Sequence, residues 1–160
     1  MSCASETTSP IFVRSIAQTD LVQWRLLWTG YNAFYGRAGD TALDDAITHQ
    51  TWERFFVDAD PVEGLVAVLD QQVVGLAHVV YHPSTTRLRD VCYLQDLYTL
   101  PGARGKGVAR ALIERVYAQA DDAGCSRVYW TTFESNATAR HLYDRIATYN
   151  GAIVYVREKR

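Results

Sequence analysis

Arg104 and Lys106 stand in a turn, Leu100-Pro101-Gly102-Ala103-Arg104-Gly105-Lys106-Gly107-Val108-Ala109, that a buried strand enters and an amphipathic helix leaves. A strand broken at a proline and followed by glycines leaves several backbone N–H groups pointing at one spot, with the positive end of a helix dipole behind them. Such a spot holds a phosphate or pyrophosphate, and the two cations add charge beside it. A nucleotide-triphosphate loop is excluded: Gly102 and Gly107 have the spacing, but Val108 and Ala109 follow, so no hydroxyl is placed to hold magnesium. A dinucleotide turn is weak, because Arg110 stands where close helix–strand packing needs a small residue. What remains is Arg104-x-x-Gly107-x-Ala109, a pattern that an ordinary basic surface loop can also contain.

These residues need a strand, a turn and a helix to position them. Ile11 to Ile16 reads as a first strand, and Thr19 or Asp20 offers an N-cap to a helix in which Leu21, Trp24, Leu27, Trp28 and Tyr31 recur at helical spacing. Gly36 to Gly39 end it, and a second helix runs from Thr41 or Asp44 to Phe56. Val62 to Leu69 and Val73 to Tyr81 form a hairpin about Asp70-Gln71-Gln72, and the strand Val91 to Leu100 follows. Leu112, Ile113, Val116, Tyr117 and Ala120 mark a helix ended by Gly124. Arg127 to Thr132 is a strand, Asn136 to about Ala147 a helix, and Ala152 to Arg157 a last strand. The order is β-α-α-β-β-β-α-β-α-β, a mixed α/β fold.

With 160 residues the chain reads as one domain, 11–160, behind a disordered tail, 1–10. A net charge of −2 argues against nucleic-acid binding, which favours a basic excess. No run is apolar and long enough to span a membrane, and residues 1–10 lack the basic start and apolar centre of a signal peptide. Cys3, Cys92 and Cys125 form no close pair, so neither a disulfide framework nor a zinc site is suggested, and a reduced, cytoplasmic protein is expected. His49, His78, His82 and His141 have no ligand-like spacing, so no metal is expected.

Arg104-x-x-Gly107-x-Ala109 resembles the Gln/Arg-x-x-Gly-x-Gly/Ala signature of the GCN5-related N-acetyltransferases, the GNAT superfamily. The element order is similar to that family's central, mixed, mostly antiparallel sheet flanked by helices. Val128 to Asn136, followed by Ala139, Leu142 and Tyr143, resembles the family's Asn-x-x-Ala-x-x-x-Tyr helix. This segment, with Trp24, Trp28, Tyr31, Phe34 and Tyr35, is most similar to the fungal histone-and-other-protein acetyltransferase subgroup. The likeness covers roughly residues 11 to 157 and is thin in the second helix.

The resemblance implies an acetyl-CoA-dependent N-acetyltransferase that moves an acetyl group to a primary amine by direct attack in a ternary complex. That chemistry needs a held cofactor, a deprotonated amine, a stabilised oxyanion and a protonated leaving thiolate. By resemblance, backbone groups of Leu97, Tyr98 and Thr99 pair with the pantetheine arm, which a bulge near Asp96 would free for that purpose. Arg104, Gly105, Lys106, Gly107, Val108 and Ala109 take the pyrophosphate; a side chain at either glycine would hold the backbone away. Asn136 bonds the pantetheine arm, and its position also suits a helix cap. Tyr143, seven residues on and two turns along the same face, is the thiolate acid, although its place between Leu142 and Ile146 also fits a core residue. The base is Asp96 or Glu134, or a water chain; Asp96 equally fits a structural carboxylate at the bulge.

The acceptor site falls to the first two helices and the facing strands. Most of the aromatic stripe reads as core, with Tyr31 and Tyr35 reaching the pocket. Asp58, Asp60 and Glu134 can supply negative charge for an ammonium group, although loop carboxylates are solvated by default. The subgroup implies small amines, peptide lysines or free amino acids as acceptors, and so short a chain favours a small molecule. The exposed terminal strand, with the family's habit of pairing there, implies a homodimer or a dimer of dimers. The competing class is a non-catalytic coenzyme A-binding regulatory module, which would have no need of Tyr143 and Asp96.

Overall fold

The computed structural model describes residues 9–159, so residues 1–8 of the expected tail lie outside the described residues. The chain divides into two compact units, one ending at Trp130 and one beginning at Thr131. The first unit contains β1 (Phe12–Ser15), α1 (Leu21–Phe34), α2 (Asp45–Arg54), β2 (Val62–Leu69), β3 (Gln72–His82), β4 (Val91–Thr99), α3 (Val108–Asp122) and β5 (Val128–Tyr129). The second contains α4 (Ala137–Ile146). Among the described residues no helix is long and apolar enough to cross a membrane.

The sheet runs in the order β1-β2-β3-β4-β5. Its first four strands are antiparallel neighbours, and β5 joins β4 in parallel after the α3 crossover. The β2–β3 hairpin closes at Leu69↔Gln72 with Asp70 and Gln71 both at positive φ, 50° and 63°. Two left-handed residues give the turn whose twist matches the flanking strands. β3 is buried on both faces, as a central strand between two helical layers must be. Leu76 joins the cluster of Trp24, Leu27, Trp28 and Tyr31 from α1 and Trp52 from α2. The neighbouring Gly75 turns the other way, and a Cβ there would lie 2.7 Å from Val108 and 3.0 Å from Leu112 of α3. Only glycine lets α3 come that close to the sheet.

Three local expectations change. Asp20 precedes α1, but its carboxylate does not cap that helix; it accepts two bonds from Arg14, at 2.7 and 2.9 Å, and one from the Ala17 N–H at 2.8 Å. β5 is two residues long, where Arg127 to Thr132 was expected. The expected last strand, Ala152 to Arg157, is not formed among the described residues. Ile153, Val154, Tyr155 and Val156 are 69, 68, 88 and 73% exposed. Their β propensity is real, but a strand exists only when a ladder partner takes up its backbone groups.

Candidate active site

β4 carries the site. Its ladder with β3 shifts register between His78↔Asp96 and Val79↔Leu94, so Gln95 has no partner and β4 bulges there, next to the expected position. The bulge keeps Asp96 turned toward α1 while Gln95 faces solvent. Asp96 is 8% exposed, and its Oδ2 lies 2.9 Å from Nδ1 of His78, a residue 1% exposed. His78 Nε2 in turn accepts the indole N–H of Trp24 at 2.9 Å. An indole nitrogen can only donate, so Nε2 must be bare and the ring proton sits on Nδ1, pointing at the carboxylate. The Tyr31 hydroxyl hydrogen-bonds to the same carboxylate.

The β4–β5 ladder contains only Cys92↔Val128 and Tyr93↔Tyr129. Among the described residues the ladder does not continue beyond Tyr93. On the β3 side the Leu100 N–H bonds to Val74 O at 2.8 Å, which makes Val74↔Leu100 a hydrogen-bonded pair. By antiparallel alternation Leu97 and Thr99 then turn their N–H and C=O groups to the open edge, and Tyr98 turns its own toward β3.

At the end of β4 a single turn of 3-10 helix, Pro101–Ala103, leads into the glycine turn. Gly105 and Gly107 have φ of 74° and 89°, and Gly107 is the N-cap of α3 with no side-chain cap. The first N–H groups of a 15-residue helix are thus left without a side-chain partner. A Cβ at Gly105 would meet nothing within 4 Å, and one at Gly107 only Ile11 at 3.9 Å. Lys106 is exposed beside them. Arg104 donates from Nε to Thr99 O at 3.2 Å and lies over the Tyr98 ring, and Thr99 Oγ1 is buried with no hydrogen-bond partner among the described residues. Open backbone donors, two cations and an orphaned hydroxyl suit the pyrophosphate and arm of a coenzyme A thioester.

On the α1 side Trp24, Trp28 and Tyr31 are buried, and Phe34 is exposed. The Tyr31 hydroxyl lies beside the Asp96 carboxylate, and burial, then that charge, raise its pKa above the ordinary tyrosine value. Burial and Asp96 act on Tyr35 in the same direction, with Arg37 opposing. Arg37 faces both rings, 5.7 Å from the Tyr31 centroid and 5.5 Å from that of Tyr35. Tyr31, Tyr35 and Asp96 therefore share one site. Asp60 instead pairs with Arg54 at 3.2 Å.

Asn136, Glu134 and Tyr143 belong to the second unit. Asn136 occupies the N-cap of α4 without a side-chain cap bond; its Nδ2 donates to Thr132 Oγ1 at 3.3 Å, so the capping role expected of it is not filled. Tyr143 is two turns along the same helix and partly buried. The Glu134 side chain is exposed, and its carbonyl accepts from Arg140 at 2.9 Å.

Sequence reasoning missed His78, Trp24 as a donor, and Arg37. A signal for His78 exists. It stands in Val73-Val74-Gly75-Leu76-Ala77-His78-Val79-Val80, and a polar residue inside so apolar a run must find a buried partner.

The acetyltransferase (GNAT) family model matches residues 24–148. The D-amino-acid N-acetyltransferase HPA3 of Saccharomyces cerevisiae is 33% identical over 149 residues, covering 92% of this chain and 90% of that protein. A thialysine N-epsilon-acetyltransferase of Caenorhabditis elegans is 28% identical over 56% of each chain. The ribosomal-protein-alanine N-acetyltransferase of Brucella melitensis biovar Abortus has the same fold at 20% identity, with a TM-score of 0.75 over 94% of this chain and 99% of its own. The chain belongs to the acetyltransferase (GNAT) family. It is an enzyme of that family's kind, an N-acetyltransferase.

Proposed function

We propose that this enzyme transfers an acetyl group from acetyl-CoA to a primary amine by direct attack in a ternary complex. The acceptor is a small amine, an amino acid or a lysine side chain, and the similarity to an enzyme named for D-amino acids favours a free amino acid. The observation that carries this reading is the buried Asp96 carboxylate, held at the bulge by His78 and Tyr31, on the strand whose described ladder with β5 ends at Tyr93.

Acetyl-CoA, when bound, supplies the acyl group as an activated thioester. Arg104, Lys106 and the N–H groups from Gly105 to Ala109 hold its pyrophosphate; the edge groups of Leu97 and the Thr99 N–H, with the Asn136 side chain, hold its arm. An amine of pKa near 10 is only about a thousandth neutral at pH 7. Asp96 takes the ammonium proton on its carboxylate. His78 does not pass that proton on, because its Nε2 is occupied by the Trp24 N–H. Tyr143 gives its phenolic proton to the departing thiolate.

The family match runs across both compact units, which supports reading residues 11–160 as one acetyltransferase domain. The exposed segment Ile153 to Val156 supports a homodimer or a dimer of dimers. A single species of about 18 kDa in sedimentation at micromolar concentration would remove that part of the proposal.

Thiol release from acetyl-CoA with a panel of amino acids, polyamines and lysine peptides tests the whole. Tyr143→Phe should keep acetyl-CoA binding and lose on the order of a hundredfold in turnover. Equal turnover in that variant would remove Tyr143 as the acid, and no release with any acceptor would favour the regulatory module.

A further inference from the structure

Arg37 is built like a residue waiting for an anion. It follows α1 by three residues, after Gly36 turns the chain at φ 78°. Its N–H bonds to Asn32 O at 2.9 Å, and its Nε donates to Asn32 Oδ1 at 2.7 Å. Asn32 is 4% exposed, and its own Nδ2 is fixed on Trp28 O at 2.8 Å. The guanidinium is thus aimed from one side only, through an amide that cannot turn. Among the described residues its two terminal nitrogens have no hydrogen-bond partner, and no carboxylate lies within ion-pair distance.

The same two tyrosines join this cation to the catalytic anion. Arg37 lies over the rings of Tyr31 and Tyr35, and both rings sense the Asp96 charge. The site therefore presents a carboxylate at one end of Tyr31 and an open guanidinium fork over its ring. A ligand that matches both carries a cationic amine and, close to it, a planar anion able to take two parallel N–H bonds.

We propose that Arg37 is the specificity-determining residue of the acceptor site, binding the carboxylate of a free amino acid whose α-amine meets Asp96. This rests on the acetyl-transfer reading and goes beyond it by excluding acceptors. A polyamine or a lysine side chain within a peptide brings no carboxylate to the fork, and a polyamine sets a second cation against Arg37, so discrimination comes from repulsion as well as attraction.

Alanine and alaninamide differ at the group Arg37 reads, and both enantiomers of each are to be compared. Wild-type enzyme should show a kcat/KM for the acid ten- to a hundredfold above that for the amide. Arg37→Gln should bring that ratio near one through KM. Arg37→Lys, which keeps the charge and loses the fork, should fall between. Calorimetry of N-acetylalanine binding reads the subsite without chemistry, and Arg37→Gln should weaken it by a similar factor. A wild-type enzyme indifferent to the carboxylate, or an Arg37→Gln variant that keeps the preference, overturns the proposal. Carboxylate-dependent binding through Arg37 with no turnover of either compound would uphold the subsite and overturn acetyl transfer to amino acids instead.

Discussion

His78 Nδ1 lies 2.9 Å from Asp96 Oδ2, and its other nitrogen receives the Trp24 indole N–H at the same distance, so the ring is fixed from both sides in one neutral tautomer. That relationship, with the Tyr31 hydrogen bond, makes Asp96 a positioned carboxylate. Substituting His78→Ala strands a buried indole N–H and removes the carboxylate's partner. We expect a loss of about 2–4 kcal/mol in urea unfolding. Turnover of the fraction still folded should fall at least tenfold. Asp96→Asn should lose on the order of a hundredfold or more in kcat, with acetyl-CoA binding kept. Full turnover in folded Asp96→Asn would return the proton transfer to a water chain.

Gly107 begins α3 at φ 89°, where an L side chain is strained. Gly107→Ala should cost about 1–2 kcal/mol in stability and raise the KM for acetyl-CoA about tenfold by crowding the phosphate donors. Gly39 has φ 57° and open space around it, so Gly39→Ala separates backbone strain from binding. It should lose similar stability and leave that KM in place. Steady-state kinetics with acetyl-CoA as the varied substrate would expose any equal effect of the two.

Asp20 is held by Arg14 and the Ala17 N–H, and the Arg14 bond chiefly lowers its pKa below the ordinary aspartate value. A depressed carboxylate stabilises the fold fully above its unfolded pKa and loses that contribution as pH falls through the folded value. With Arg14 partly exposed, Asp20→Asn should cost only about 1–2 kcal/mol at neutral pH. The gap between wild type and variant should narrow below about pH 4. A gap that stayed constant down to pH 3 in chemical unfolding would contradict the role of this pair.

Burial pushes the Cys92 thiol up to about 12. At pH 8 it is then almost wholly protonated, and a thiol rather than a thiolate is a poor nucleophile. Iodoacetamide should leave Cys92 unmodified in the folded protein and label it once urea is added, as peptide mass mapping would read. Labelling of Cys92 at native conditions at the rate of a free thiol would mean that β4 opens at its first residues.

Much of this protein is legible in its sequence because the signals are local. The Val62 to Leu69 strand, the hairpin turn at Asp70-Gln71, the breaks at Gly36 and Gly124, and the glycine turn before α3 each follow from the conformations available to a few neighbouring residues. The family follows from the spacing Arg104-x-x-Gly107-x-Ala109 together with the element order and the Asn136-to-Tyr143 helix pattern, each set within short stretches of chain. Tertiary structure decided the rest. That His78 reads Asp96 depends on a register between β3 and β4, 18 residues apart, and on a bulge no composition announces. Trp24 becomes a donor only because α1 crosses that strand 54 residues away. The open fork of Arg37 exists because Asn32 holds it and, among the described residues, no acidic side chain pairs with it. The missing last strand has the same cause in reverse: Ile153 to Val156 have the right side chains, but pairing is a property of two segments.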